Sequence, residues 1–318
     1  MTPRIVIVGG GPAGLAAAAS AGRTGAMVLL LEERSETGGQ LRYRAQPVAE
    51  IAGGGADSPQ QIAARLRTTA AAAGAEIRTS AVVAGWFAGN ELLVVEAGGA
   101  RRMVADALIV ATGSVDLPFP FPGATFPGVF SARGLQTMLH LHRVRPGRRF
   151  AVIGGGDVAE EIVNDVVQAG GEVVWSGIAP SSFLRAEGSD GVTAIVVGRE
   201  RHAVDAIAIA AGRQPDTALA AMAGVPVGFA AELGGYVPRV DDCLAAGSGL
   251  FVAGDAAGVG SVAAAIAEGR LAGLAAARSI GLADDGQVDA ALAGRGAEIR
   301  WRAAVRASMA PVFSQPYE

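Results

Sequence analysis

Two glycine clusters carry the first legible chemistry. Gly9-Gly10-Gly11-Pro12-Ala13-Gly14 follows the apolar run Arg4–Val8 and opens an alanine-rich helix expected over residues 15–22. A second apolar run, Met27–Leu31, ends in Glu32, 23 residues after Gly9. Strand, Gly-x-Gly-x-x-Gly, helix, strand and acid in this order make a dinucleotide-binding unit. Gly9 permits the tight turn, Gly11 lets the backbone approach a pyrophosphate, and Gly14 lets the helix lie close on the strand. The helix N-terminus offers free N–H groups and positive potential to phosphates, and Glu32 accepts ribose hydroxyls. Gly154-Gly155-Gly156-Asp157-Val158-Ala159 repeats the turn between a strand at 150–153 and a helix at 158–169, with a further strand at 173–176.

The elements that must hold these turns are also visible. Asp106-Ala-Leu-Ile-Val-Ala-Thr-Gly113 reads as a strand ending in a small-residue turn, and Asp205-Ala-Ile-Ala-Ile-Ala-Ala-Gly212 as its counterpart in the second unit. Gly249-Leu-Phe-Val-Ala-Gly254-Asp255 is a buried strand ending in an acid, followed by an alanine-rich helix from about Ser261. The fold class is α/β, with two Rossmann-like units, the second inserted in the first. Expected bounds are 1–116 plus 241–318 for the first domain and 117–240 for the second.

Composition narrows the function. The chain has 318 residues, about two domains' worth, with 51% hydrophobic and 18% charged positions. That balance excludes a disordered chain. Net charge is −4 without a basic block, which argues against a nucleic-acid partner. All 26 basic residues are arginine, so no lysine of this chain can form a Schiff base. One cysteine, Cys243, excludes an internal disulfide, a Cys-x-x-Cys pair and a cysteine-held cluster within the chain. The start, MTPRIVIVGGG, lacks the features of a signal peptide, and the alanine-rich run 261–281 carries Glu268, Arg270 and Arg278. A buried helix rather than a membrane span is expected there, and a cytoplasmic protein overall.

Further motifs bring in a resemblance. Besides the glycine turns, the sequence has Glu33-Arg34 before Gly38-Gly39-Gln40, the proline-rich stretch from Leu117 to Val129, and Leu135-Gln136-Thr137 before Arg145-Pro-Gly-Arg-Arg149. With these it resembles the two-dinucleotide flavoproteins related to thioredoxin reductase. Within them it looks most like the FAD-binding subunits of multi-component amino-acid and amine dehydrogenases, such as opine oxidase, hydrogen cyanide synthase, hydroxyproline and proline dehydrogenase, and the sarcosine oxidase large subunit. The resemblance implies that Gly9, Gly11, Pro12, Ala13 and Gly14 wrap the FAD pyrophosphate, with Glu32 and its neighbour Glu33 at the adenosine ribose. Gly39 and Gln40 would line the flavin side. Val82, on a strand expected over 76–83, would meet the adenine, and Ala111, Thr112 and Gly113 would lie under the cofactor. Asp255, after Gly254, would bind the ribityl chain, and Ser261 and Val262 would face the pyrimidine end of the flavin. A helix N-terminus there stabilises negative charge on reduced flavin.

The sequence departs from this pattern in three places. The 23-residue offset from Gly154 reaches Gly177, where no acid is present for a ribose. Only 16 residues separate Gly177 from Thr193, which opens an expected hairpin (193–197, 202–204), against 44 between Glu32 and Glu76. The second unit is therefore expected to lack a helix and a strand, and its nucleotide site is doubtful. Finally, several relatives continue into a cysteine-rich iron–sulfur domain, and this sequence ends at Glu318 ahead of any such motif. An iron–sulfur cluster or second flavin is thus expected only on partners. These would be an amino-acid-oxidase-type flavoprotein subunit, with a small cysteine-rich subunit beside it.

The leading reading is an FAD-containing electron-transfer subunit of a hetero-oligomeric amino-acid, imino-acid or opine dehydrogenase, with no catalytic side chain assigned. The alternatives are a stand-alone NAD(P)H-dependent reductase of ferredoxin or quinone type, and a non-redox dinucleotide-binding scaffold. No metal site is expected: His140 and His142, on a helix over 132–142, point about 200° apart. Cys243 lies beside Asp241 and Asp242, which disfavours a thiolate. Arg295, Arg300, Arg302 and Arg306 around Trp301 read as a solvated helix face or a docking surface. Phe119, Phe121 and Phe126 in the proline-rich stretch read as a partner contact or a self-packed linker.

Overall fold

The computed structural model describes residues 4–48, 57–294 and 296–309. In chain order, β1 (Arg4–Val8), α1 (Pro12–Gly22), β2 (Met27–Leu31), α2 (Pro59–Ala72) and β3 (Glu76–Arg78) come first. β4 (Val82–Phe87), β5 (Glu91–Glu96) and β6 (Gly99–Val104) form an antiparallel meander before β7 (Ala107–Val110). β8 (Val129–Ser131), α3 (Ala132–Gln136), β9 (Arg149–Gly154), α4 (Gly156–Gln168) and β10 (Glu172–Gly177) follow. Next are a second meander, β11 (Leu184–Gly188), β12 (Val192–Val197) and β13 (Glu200–Ala203), and then β14 (Ala206–Ala210). The chain closes with α5 (Ala218–Met222), the hairpin β15 (Val227–Ala230) and β16 (Gly235–Pro238), β17 (Ala245–Gly247), β18 (Leu250–Val252), α6 (Val262–Ser279), α7 (Asp285–Ala293) and α8 (Ala297–Ser308).

Two compact units result. The first comprises residues 1–41, 47–115 and 214–318, the second 42–46 and 116–213. The segment 214–240, expected in the second domain, thus belongs with the first. Leu219 and Ala220 of α5 bury themselves beside Leu92, Val94 and Met103 of the first meander.

The first unit holds a six-stranded sheet in the order β17–β18–β7–β1–β2–β3, parallel except for β17. Continuous apolar runs such as Ile5 to Val8 suit strands buried on both faces. α1 and α6 lie against each other through small residues. A Cβ on Gly269 would fall 2.1 Å from the Ala13 carbonyl oxygen, and one on Gly273 2.1 Å from Ser20 Oγ. The strand expected over 76–83 is broken: β3 ends at Arg78, Ser80 takes a φ of +54°, and Val82 opens the separate meander. The expected helix from Ser261 is α6, with Ser261 as its N-cap and Glu268 fully buried. Among the described residues, no helix is long and apolar enough to cross a membrane.

The second unit holds a parallel sheet in the order β10–β9–β14–β8. β9, β10 and β14 repeat β1, β2 and β7, but among the described residues nothing pairs beyond β10 as β3 does beyond β2. The chain after Gly177 goes into the meander, so the shortening expected from the spacing is a missing edge of this sheet. The helix expected over 132–142 is not continuous: α3 gives way at Thr137 to a wider π turn over Thr137–Leu141. His140 is not exposed; its Nε2 lies 3.0 Å from Oδ1 of the buried Asp165, whose Oδ2 accepts from Gln136 Nε2 at 2.9 Å. The proline-rich stretch packs on its own unit: Phe121 is buried and Phe119 and Phe126 are half-buried against Ile153, Leu184 and Ile195. This is the self-packed arrangement of the two expected for those aromatics.

Candidate functional site

The first glycine turn is built by close backbone approach. Gly9 has a φ of +107°, and a Cβ there would lie 2.3 Å from the Ala111 carbonyl oxygen; one on Gly14 would lie 1.9 Å from the Gly9 oxygen. A Cβ on Gly11, by contrast, would meet only the Gly39 Cα, at 3.9 Å, so this face of the turn is open. Pro12 and Ala13 begin α1, whose N-terminus no side chain caps. An open glycine face at an uncapped helix N-terminus suits a pyrophosphate.

Glu32 is buried at the end of β2. Its Oε2 accepts the Gly10 N–H at 2.7 Å and its Oε1 the Arg34 N–H at 2.9 Å, which fixes the carboxylate beside the turn. Backbone bonds from Ser80 to Arg34 and from Ala81 to Glu32 bring the start of β4, and so Val82, to the same end. Val82 is exposed there. Glu33 faces solvent and pairs with Arg34, so only one of the two adjacent acids points into the site.

The other half of the site gathers around Asp255. This buried carboxylate accepts from Ser114 Oγ at 2.9 Å, Gln40 Nε2 at 3.4 Å and the Gly260 N–H at 3.3 Å. Thr112 Oγ1 donates to the Asp216 carbonyl, and Gly113, with a φ of +85°, has open space where a Cβ would be. Gly254 needs to be glycine: its φ is +70° and a Cβ would lie 2.6 Å from that of Ala13. Ser261 caps α6 by accepting the Ala264 N–H at 3.0 Å. Val262 turns its side chain into the core beside Leu41 and Ile62, so it can face a ligand only through its backbone.

Sequence reasoning missed Ser114, Glu268 and Glu298, and it misjudged two arginines. Arg302 and Arg306 of α8 are buried, not solvated. Both bind the carboxylate of Glu268, and one donor of each also reaches backbone carbonyls. Arg302 Nη2 donates to the Gly258 carbonyl at 2.7 Å and Arg306 Nη1 to that of Ala257 at 3.0 Å. Burial works against the Arg302 charge, but Glu268, with Asp255 and Glu298 adding to it, outweighs burial and holds the guanidinium above its ordinary value. For Arg306 burial prevails and the value falls. A signal existed: an acid on the buried face of an alanine-rich helix needs a cation, and Arg302 and Arg306 share a helix face at i, i+4. Arg300 and Trp301 remain exposed, and Arg295 lies outside the described residues. Cys243, flanked by acids in sequence, receives Arg278 Nη2 at 3.6 Å. Among the described residues no cluster of His, Cys, Asp and Glu could hold a metal.

Residues 3–177 match the family model for pyridine nucleotide-disulphide oxidoreductases. The chain belongs to that family. Membership makes it an oxidoreductase of FAD-dependent type. It is 32% identical to the alpha subunit of sarcosine oxidase from Rhizobium meliloti (strain 1021), over 87% of this chain and 31% of the relative. It is 27% identical to an opine oxidase subunit from Agrobacterium tumefaciens (strain Ach5), over 93% of this chain and 69% of the relative. Among solved structures, L-proline dehydrogenase from P. horikoshii has the same fold, with a TM-score of 0.77 and 24% identity over 100% of this chain and 62% of that one. The chain spans about a third of the length of the sarcosine oxidase relative. These are the kinds of subunit that the sequence motifs resemble. The open turn, the buried Glu32 and the Asp255 cluster fit FAD, the dinucleotide of this family.

Proposed function

We propose that the chain is the FAD-containing electron-transfer subunit of a hetero-oligomeric dehydrogenase acting on an amino acid, imino acid or opine. In this reading Gly9 to Gly14 hold the pyrophosphate, Glu32 the adenosine ribose, and Asp255 with Gln40 and Ser114 the ribityl chain. Gly39, Ala111, Thr112 and Gly113 line the cofactor, Val82 adjoins the adenine, and Ser261 and Val262 place the N-terminus of α6 at the pyrimidine end. Bound FAD supplies two-electron acceptance and stepwise release. The chain's own residues contribute binding, orientation and the field around it.

The asymmetry of the two nucleotide units carries the reading. The first has the turn, the acid and the full sheet edge. The second ends its parallel sheet at β10, has Gly177 where Glu32 stands in the first, and covers Gly155 with Ile178, whose Cδ1 lies 2.6 Å from where a Cβ would be. A poor second site leaves NAD(P)H without a docking place. A single cysteine also leaves no dithiol to reduce a disulfide. Electrons are then supplied by an amino-acid-oxidase-type partner and pass to a cluster-bearing one, all in the cytoplasm. The sarcosine and opine oxidase relatives are named as subunits, which supports the assignment of partners.

The test is anaerobic. The purified chain should be yellow and release FAD, not FMN, on denaturation. NADH and NADPH at micromolar concentration should leave the flavin absorbance unbleached, and the chain alone should not oxidise proline, hydroxyproline or sarcosine. Mixed with its flavoprotein partner and that partner's substrate, it should bleach. Rapid bleaching by NADH would replace this reading with that of a stand-alone reductase. Bleaching by no donor at all would favour a scaffold.

A further inference from the structure

We infer that Glu298, on a helix outside both nucleotide motifs, sets the potential of the flavin by placing a negative charge on the N-terminus of α6. This rests on the reading above, in which the pyrimidine end of FAD meets that terminus.

The N-terminus of an 18-residue helix carries roughly half a positive charge. Glu298 already takes up part of it. Its Oε1 accepts the Ser261 N–H at 2.9 Å and its Oε2 the Ser261 hydroxyl at 2.5 Å. One turn further along α8, Arg302 is 1% exposed, and its Nε and Nη2 are committed to Glu268 and to the Gly254 and Gly258 carbonyls. Its Nη1 has no partner among the described residues and faces Gly260, where a Cβ would fall 2.3 Å away. A buried, unpartnered donor thus meets the start of α6, where Asp255 takes the Gly260 N–H and Glu298 takes that of Ser261. Glu298 is half-buried there.

Reduction places negative charge on the pyrimidine half of a flavin. Arg302 and α6 favour that charge, and Glu298 opposes it at close range in a partly dry site. Glu298 therefore lowers the potential relative to the same site without its charge. That suits a protein that passes electrons onward rather than retaining them.

The experiment compares the FAD-loaded full chain with Glu298→Gln, Glu298→Ala and Glu298→Asp. FAD affinity is read by absorbance titration, the midpoint potential by dye equilibration, and sulfite affinity by bleaching of the flavin band. Sulfite adds to the flavin N5 and leaves negative charge in the pyrimidine half, so it reports this field directly. In the Gln and Ala variants FAD should bind within about threefold of the parent. The ratio of reduced to oxidised flavin at fixed potential should rise tenfold, which is about +30 mV for a two-electron couple. Sulfite should bind at least tenfold more tightly, and Glu298→Asp should restore parental values. Unchanged potential and sulfite affinity with FAD bound would overturn the inference and leave the FAD reading intact. Failure of the parent to bind FAD would overturn that reading. Loss of folding in both the Gln and Ala variants, read by circular dichroism, would make Glu298 structural and also overturn the inference.

Discussion

Replacing Glu268 by Gln should be among the most destabilising single changes in the first unit. Glu268 is fully buried and receives five donors: Arg302 Nε and Nη2 at 2.9 Å, Arg306 Nη1 and Nη2 at 3.1 and 3.0 Å, and the Gly254 N–H at 3.1 Å. The amide keeps the shape and removes the charge. Its NH2 group must then face either a guanidinium or the Gly254 N–H, and two buried cations lose the counterion they share. Breaking a buried pair in this way costs about 3–5 kcal/mol, because the remaining charge stays desolvated. For a unit of this size each kcal/mol shifts the melting temperature by about 2–4 °C, so a fall of about 6–20 °C is expected. Circular dichroism melts of the FAD-free chain measure it. The double change Glu268→Gln with Arg306→Gln removes one charge of each sign. It should cost less than the sum of its parts, by a coupling of about 1–3 kcal/mol. A melting point for Glu268→Gln within 2 °C of the parent (about 1 kcal/mol or less), or strict additivity in the cycle, would refute the view that this triad holds α8 to the loop carrying Asp255.

Three other outcomes are expected. Gly269→Ala puts a methyl group 2.1 Å from the Ala13 carbonyl oxygen, so α1 and α6 must separate; overpacking should cost about 1–3 kcal/mol and weaken FAD binding at least tenfold by equilibrium dialysis. Glu32→Ala removes a charged acceptor of two backbone N–H groups and, in the proposed reading, of the ribose, so FAD affinity by fluorescence titration should fall by about 10–100-fold. Asp205 accepts the N–H groups of Arg149 and Arg148, and these bonds, in that order, hold its carboxyl below the ordinary range. A lowered carboxylate stabilises the fold above its unfolded-state value and loses that effect as pH falls through the folded one, so the urea midpoint of Asp205→Ala should lie below the parent's at pH 7 and begin to converge with it only as pH falls below about 4.

Where backbone geometry permits only one residue type, the sequence is a direct record of the fold. Gly9 and Gly14 could be assigned to a turn because a side chain at either would collide with a carbonyl, and the same necessity makes Gly254 glycine. Spacing was equally legible: the 16 residues after Gly177 leave no room for the edge that β3 supplies in the first unit. What local pattern could not convey was where a chain segment finds its partner. Residues 76–83 look like one strand because β-branched Ile77, Thr79, Val82 and Val83 recur with no glycine or proline among them, yet the turn at Ser80 passes Val82 and Val83 to another sheet. The stretch 214–240 has no motif to say which unit it joins, and Leu219 settles that by burial beside Leu92. The arginines of α8 are the sharpest case. Their helix is amphipathic by pattern, and a charged face normally means solvent. Here the charged face is the inward one, because Glu268 waits 34 residues away on the buried side of an alanine-rich helix. A buried acid therefore converts an ordinary surface pattern into a core contact. The same docking of α8 brings Glu298 to Ser261 at the N-terminus of α6, the contact on which the proposed tuning of the flavin rests.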